Sequence, residues 1–425
     1  MALKSGRTIS LKDALRQITS NCINDDDPLL ANTDLLAILT HWLQSRENAP
    51  IFGTKRHRNI WSQWLADSLL SESHQISEPI QQTRKRHNGQ IDIDFGVPFP
   101  PPNRPNFRFI DLYAGIGGFR IALQKHGGKC VFSCEWNASA KETYYRNFGE
   151  IPFGDIREFS GEEISDAAIK KTIPDHDILA AGFPCQPFSR AGVSARSSLG
   201  QAHGFSCEIQ GTLFFDLIRI AKVKRPRVLL LENVKNLKSH DGGRTFQTIK
   251  ETIEQDLGYS FSDAIVDASS FVPQKRERCF MVCFRDKSQH FVFPQFSKLR
   301  LPLSGILEPD PPKHYTISDR LWEGHQRRTQ RNLARGVGFT AFVADISKPA
   351  HTLVARYGKD GKECLVPQRG ENPRKLTRRE CARLQGFPEI FVLPASDAAA
   401  YRQFGNSVPV PVVDHIAEAI IAQME

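Results

Sequence analysis

The segment "FRFIDLYAGIGGFR", residues 107–120, is an apolar run that stops at a glycine cluster and resumes as the helical pattern "GGFRIALQKHG". A short apolar run bounded by glycine reads as a buried strand. Gly115, Gly117 and Gly118 let the chain turn sharply and let a ligand approach the backbone at the carboxyl edge of a sheet. Further strands follow at "KCVFSCEW", "HDILAAGFPC", "RVLLLENV" and "RCFMVCFR". The helical patterns "GTLFFDLIRIAKVKRP" and "TFQTIKETIEQDLG" lie between them. Apolar strands alternating with helices predict an α/β domain with a mostly parallel sheet.

Two carboxylates follow the glycine turn. Glu135 ends the second strand, where a nucleotide-binding sheet places an acid to hold ribose hydroxyls. Asp155, in "PFGDI", falls where a third strand would end. Together they favour an adenosine-containing cofactor, although a tight turn beside two solvated acids would look similar. The turn lacks the G-x-G-x-x-G spacing of dinucleotide binders, which shifts the reading to S-adenosylmethionine. Glu232 follows "VLLL" and so stands at the same carboxyl edge, where it could hold or donate a proton. Arg276 and Arg278 alternate in "VPQKRERCF", so an extended segment points both to one face, toward an anion or a base oxygen. A solvated arginine pair has the same pattern.

In "AGFPCQPFSRAG", residues 181–192, Cys185 sits between Pro184 and Pro187. Proline fixes its own backbone angle and restricts the residue before it, so the cysteine is held on a stiff non-helical loop. Such a loop suits a nucleophile, and it also suits a plain turn.

The chain has 425 residues, enough for two or three domains. Its 40% hydrophobic and 24% charged content is ordinary for a soluble globular protein. With no apolar run of about 18 residues, no membrane span is expected. The start "MALKSGRTISLKDALRQI" lacks a signal-peptide core. Nine cysteines with no C-x-x-C pair argue against a disulfide framework and a zinc site, so no metal is expected and a reducing cytosol fits. The net charge of +9 suggests a polyanionic partner, nucleic acid first.

Residues 1–75 read as an amphipathic helical region. Ser10 is a helix cap there, and Leu35, Ile38, Leu39, Trp42 and Leu43 recur at helical spacing. Trp61 and Trp64 are expected in its core. Residues 76–105 form a linker, with five prolines in "GVPFPPPNRPNF". Residues 106–285 carry the strand–helix alternation, 286–373 show little periodicity, and 374–425 return to helices. "RKLTRRECARLQGF" among them carries a capping box at Thr377 and Glu380. The proline-rich boundary predicts that a chain starting near Asn103 folds by itself.

The blocks "DLYAGIGGFR", "EW", "GDI", "GFPCQPFS", "ENVKNL", "QKRER", "RECARLQGF" and "QFGNSVPVPV" occur in that order. In this the chain resembles the DNA (cytosine-5) methyltransferase family over residues 107–425. "AGVSARSSLGQAHGFSCEIQGTLFFD" and "ARYGKDG" are most similar to the Dcm/EcoRII-like bacterial branch. Tyr113 stands where many members have phenylalanine. The resemblance implies a Rossmann-like S-adenosylmethionine-dependent methyltransferase domain, a small target-recognition domain at 286–373 and an extra helical N-terminal region.

It further implies that Cys185 adds to carbon 6 of cytosine and that Glu232 holds ring nitrogen 3 and the exocyclic amine. Arg278 and Arg276 would steady the base oxygen and the cysteine loop. On the cofactor, Tyr113 and the turn Gly115, Ile116 and Gly118 would meet the methionine end. Glu135 would bind ribose and Trp136 would pack on adenine. Asp155 and Ile156 would read the adenine edge, with Pro184, Leu213, Asn406 and Ser407 completing the wall. The partner is duplex DNA with its target base flipped out, at a cost of a few kcal/mol. Thr352 and Leu353 match a dipeptide common in target-recognition domains and equally suit an ordinary strand. The branch suggests a CCWGG- or CCNGG-type site. The expected enzyme is a monomer at the nucleoid of a bacterial cytoplasm. A restriction endonuclease in the same system, not in direct contact, is left open. A catalytically silent DNA-binding homologue fits poorly with an intact Cys185, Glu232 and arginine pair. The length of 286–373 favours a duplex reader over a tRNA cytosine methyltransferase.

Overall fold

The computed structural model describes residues 9–10, 37, 40, 41, 44, 93–94, 96–184, 213–336 and 341–424. Its centre is a sheet of β1 (Phe107–Leu112), β2 (Gly128–Cys134), β3 (Ile178–Gly182), β4 (Val228–Val234), β5 (Ser262–Asp267) and β6 (Glu277–Phe284). The order across the sheet is β2-β1-β3-β4-β6-β5. The β1–β2, β1–β3 and β3–β4 pairings are parallel, and β6 runs antiparallel to both β4 and β5. Ile178 to Ala181 and Leu229 to Leu231 are fully buried, because apolar layers cover both faces of the sheet.

From β1 the chain goes to one side for β2 and then to the other side for β3. The loops leaving β1 and β3 therefore part, and this opens the crevice where such sheets bind ligands. After β1 the backbone turns into α1 (Gly118–Lys125). Gly117 has φ 84°, and a Cβ there would run into the Phe148 ring. Further helices include α2 (Ala138–Phe148), α3 (Leu213–Lys224), α4 (Arg244–Glu251), α5 (Asp319–Ala334), α6 (Arg378–Leu384), α7 (Asp397–Asn406) and α8 (Val410–Met424). The closing segment folds back onto the first helix. Lys125 and His126 meet Asp414 at 2.6 and 2.8 Å, and Val408 packs so closely on Gly118 that no side chain would fit between them.

Several elements depart from the sequence reading. The third strand expected at "PFGDI" is a single parallel bridge between Phe153 and Cys134. β5 was not anticipated. As an edge strand it is only half-buried along most of its length, so its apolar signal is weak. The basic stretch 286–373 contains α5, capped by Ser318, whose one buried residue is His325. A helix without an apolar stripe gives the sequence nothing periodic to show. The capping box on α6 is present, with Thr377 Oγ1 accepting from the Glu380 amide and Glu380 accepting from the Thr377 amide.

Ser10 lies in a short parallel pairing of Ile9–Ser10 with Ile93–Asp94. The helix it was expected to cap, the apolar row from Leu35 to Leu43 and Trp61 and Trp64 lie outside the described residues. Ala37, Thr40, His41 and Gln44 are helical and no more than 2% exposed, and Thr40, His41 and Gln44 hydrogen-bond to β2, α2 and the segment after it. These contacts tie the N-terminal residues to the edge of the sheet and to the end of α2. Among the described residues no helix is long and apolar enough to cross a membrane, and no group of three or more His, Cys, Asp or Glu is placed to hold a metal.

Candidate active site

The crevice between the β1 and β3 loops is a cavity of about 740 Å³, within the usual range for cofactor sites. Every residue named above for the cofactor lines it, together with Glu232, Arg276 and Arg278. Sequence reasoning missed Phe119, Arg157, Arg402 and Gln403 on the same wall. Phe119 and Gln403 lie inside the blocks "DLYAGIGGFR" and "QFGNSVPVPV", and Arg157 and Arg402 directly adjoin "GDI" and "QFGNSVPVPV", so that adjacency was the available signal.

At one end, Glu135 leaves β2 and accepts hydrogen bonds from the Gly115 amide at 2.9 Å and the Asn137 amide at 2.8 Å. Burial raises its pKa, while those amides pull it back. Each oxygen keeps lone pairs for a hydroxyl. Trp136 beside it is 80% exposed, an open aromatic face on the cavity wall. Tyr113 holds the turn after β1 with a left-handed φ of 57°, and its hydroxyl donates to the Leu213 carbonyl at 2.5 Å. Nothing stands within 4 Å of where a Gly115 Cβ would be, so that backbone faces open space. An exposed ring, a carboxylate with free lone pairs and an uncovered glycine turn suit adenine, ribose and the methionine chain of S-adenosylmethionine. Asp155 is already held by Arg157 at 2.5 Å, which keeps its carboxyl below the usual range.

At the other end, register pairs Glu232 of β4 with Gly182 of β3. Glu232 is buried, and its Oε1 meets Arg278 Nε at 3.0 Å. Burial raises its pKa, against the pull of the Arg278 and Arg276 guanidinium groups. Phe183 and Pro184 continue from β3 along the cavity wall. Cys185, the next residue, lies outside the described residues. Asn233 was not singled out from sequence, yet its Nδ2 donates to the Phe183 carbonyl at 3.0 Å and fixes the approach to the cysteine loop. Its place directly after Glu232 in "ENVKNL" was the available signal.

Arg276, expected to steady the base oxygen and the cysteine loop, lines the cavity and is bonded to the returning chain. It is 1% exposed and donates to the carbonyls of Leu353, Gly405 and Ser407 at 3.0, 3.0 and 2.6 Å. It points to the same side as Arg278, but the returning chain covers it there. Its Nη atoms tie three backbone groups together, while its buried Nε has no hydrogen-bond partner among the described residues. Thr352 and Leu353 belong to the same junction. Thr352 Oγ1 donates to the Lys275 carbonyl, and the Leu353 amide donates to Gln274.

Next to the Glu232–Arg278 pair is a shallower hollow of about 370 Å³, lined by Lys235, Asn236, Lys275, Arg278, His351 and Thr352 among others. Its basic and hydroxyl groups suit a phosphate backbone.

If Glu135 holds ribose hydroxyls, Glu135→Ala weakens S-adenosylmethionine binding by about 1–3 kcal/mol, the range for a charged hydrogen bond. Calorimetry showing unchanged affinity would remove Glu135 from the site.

The chain is similar to proteins of known family. A family model for the C-5 cytosine-specific DNA methylases matches residues 107–422. Type II methyltransferase M.SsoII of Shigella sonnei is 47% identical over 342 residues, which is 78% of this chain and 85% of that protein. The DNA-cytosine methyltransferase of Escherichia coli K12 is 43% identical over 377 residues, covering 76% of this chain and 80% of its own. The solved S. pombe Dnmt2 methyltransferase shares the fold with a TM-score of 0.57 at 18% identity, over 75% of this chain and 99% of its own. The crevice and its edge carboxylate thus lie in a chain that belongs to the C-5 cytosine-specific DNA methylase family, and the enzyme uses S-adenosylmethionine to methylate carbon 5 of cytosine in DNA.

Proposed function

We propose that Cys185 is the nucleophile, Glu232 the proton donor and Arg278 the group that orients both Glu232 and the base. The observation that carries this is the Gly182–Glu232 register pairing. It sets the strand that leads to Cys185 directly beside the carboxylate. Carbon 5 of cytosine is a poor nucleophile. Thiolate addition at carbon 6 makes the ring an enamine, and a proton given by Glu232 to ring nitrogen 3 neutralises the charge that addition creates. S-adenosylmethionine, when bound, supplies the methyl group that carbon 5 accepts. Loss of the carbon 5 proton then expels the thiolate, so the cysteine is regenerated.

Tyr113, the Gly115–Gly118 turn, Glu135, Trp136, Asp155, Ile156, Pro184, Leu213, Asn406 and Ser407 would hold the cofactor. Residues 286–373, joined to the catalytic part through Arg276 and Leu353, would read the duplex, with the basic hollow along the phosphates. The enzyme would act as a monomer on nucleoid DNA in the cytoplasm, in restriction–modification or in host methylation. The type II methyltransferases among its relatives favour the first. The Dcm/EcoRII-like blocks favour a CCWGG or CCNGG site. Bisulfite sequencing of DNA from cells expressing the protein tests the site directly. Protected cytosines confined to those pentamers are expected, and protection in an unrelated sequence would discard that assignment.

A further inference from the structure

β2 is an edge strand, so the backbone groups on its outer side have no strand to pair with. Ser133 presents both its groups outward, and each is taken up. Its carbonyl accepts from the Phe153 amide at 3.0 Å, and its amide donates to His41 Nε2 at 3.0 Å. His41 Nδ1 faces the Ala37 carbonyl at 2.9 Å and must donate there, which leaves Nε2 as the acceptor. Burial lowers the pKa of His41 and so favours that neutral form. Its ring also packs against Phe153 in a tilted arrangement, with centroids 4.2 Å apart.

The neighbouring positions do the same for the next backbone groups. Thr40 Oγ1 accepts from the Ile151 amide at 3.0 Å. Gln44 donates to the Phe148 carbonyl at the end of α2 and accepts from Arg120, which is ion-paired with Glu150 at 2.8 Å. Thr40, His41 and Gln44 fall on one helical face, and all are no more than 2% exposed. Ser133 lies two residues before Glu135, and Phe153 two residues before Asp155. The Glu135 amide itself donates to the Phe153 carbonyl at 2.9 Å.

We infer that the face formed by Thr40, His41 and Gln44 is a positioning element of the S-adenosylmethionine site, closing the sheet edge from which Glu135 and Asp155 are presented. The inference rests on the reading that those two acids hold the cofactor. The N-terminal region then holds the cofactor site in place without lining it, although it precedes the span matched by the family model.

The test uses the full-length chain. His41→Ala removes the acceptor for Ser133, and Thr40→Val removes the one for Ile151 while keeping side-chain shape. Each is expected to raise the KM and Kd for S-adenosylmethionine about 10-fold, the effect of one lost hydrogen bond of ordinary strength. KM for DNA, and kcat at saturating cofactor, should stay within about 2-fold, since neither residue faces the reacting carbon. His41→Gln restores an acceptor near the Nε2 position and should recover most of the affinity. A fall in melting temperature with no change in cofactor KM, for both Thr40→Val and His41→Ala, would overturn the inference. Glu135→Ala measured in parallel separates the causes. If it weakens binding while the N-terminal variants do not, the positioning role alone fails. If none of the three weakens binding, the reading of Glu135 fails and the inference fails with it.

Discussion

Cys185→Ala is expected to lose DNA methylation by on the order of 10⁴-fold or more in kcat, the scale seen when a covalent nucleophile is removed, while it binds S-adenosylmethionine with unchanged affinity. The argument begins with the substrate. Carbon 5 cannot take a methyl group until the ring is made electron-rich, and addition at carbon 6 is the route. A free thiol with a pKa of about 8.5 is only a few per cent ionised at pH 7, so its placement and proton acceptor decide the rate. The structure carries that placement as far as Pro184, with β3 pinned to β4 by register and the Phe183 carbonyl held by Asn233. No other cysteine qualifies among the described residues. Cys130, Cys134, Cys279, Cys283, Cys364 and Cys381 are all buried. Burial pushes the Cys134 thiol, on the cavity wall, well above its ordinary pKa. Methyl transfer to cognate duplex and calorimetry with the cofactor give the two readings. Turnover within about ten-fold of the parent would take the nucleophile's role from Cys185, since loss of a covalent step costs far more.

The catalytic half of the fold was legible because its signals are local. A strand that ends in Gly115 and restarts as a helix can be read from a dozen residues, and so can a strand that ends in Glu232. The residues named for the cofactor converge on one cavity because most sit at or just after the carboxyl ends of strands, with Leu213, Asn406 and Ser407 brought in at helix ends. Arg276 shows where such reading stops. Its alternation with Arg278 correctly predicts their common side, but the sequence cannot show that Leu353, Gly405 and Ser407 arrive there to use its donors. The N-terminal region shows the same limit more sharply. Hydrophobic periodicity points to Leu35, Ile38, Leu39, Trp42 and Leu43, which lie outside the described residues, whereas the polar Thr40, His41 and Gln44 between and beside them are buried. A polar side chain can be buried when its hydrogen bonds are met, and here the partners are backbone groups some 90 to 110 residues away in sequence. No pattern within the helix encodes such partners. β5 and α5 were missed for the opposite reason, because a half-buried edge strand and a largely exposed helix carry little periodicity to read.

Glu232→Gln should lower kcat by about 10²–10⁴-fold, the usual contribution of a positioned proton donor, with little change in KM for DNA. The two side chains have nearly the same shape. A glutamine amide can still donate to ring nitrogen 3 and accept from the exocyclic amine, so the base is held as before. What it cannot do is transfer a proton. Burial raises the pKa of Glu232, so its protonated form persists to higher pH than that of an exposed carboxyl. The same form is the one required for donation. In the parent enzyme the rate should therefore rise with pH as the thiol ionises and fall again as Glu232 loses its proton. In the glutamine variant the falling limb should vanish, because an amide does not ionise, while the rising limb remains. Arg278 loses its ionic partner at 3.0 Å in this variant but keeps an oxygen to donate to. Unchanged S-adenosylmethionine affinity would show that the site has stayed assembled. A glutamine variant with the parent's full pH profile, its falling limb intact, would assign that limb to another group and leave Glu232 as a hydrogen-bonding partner of the base.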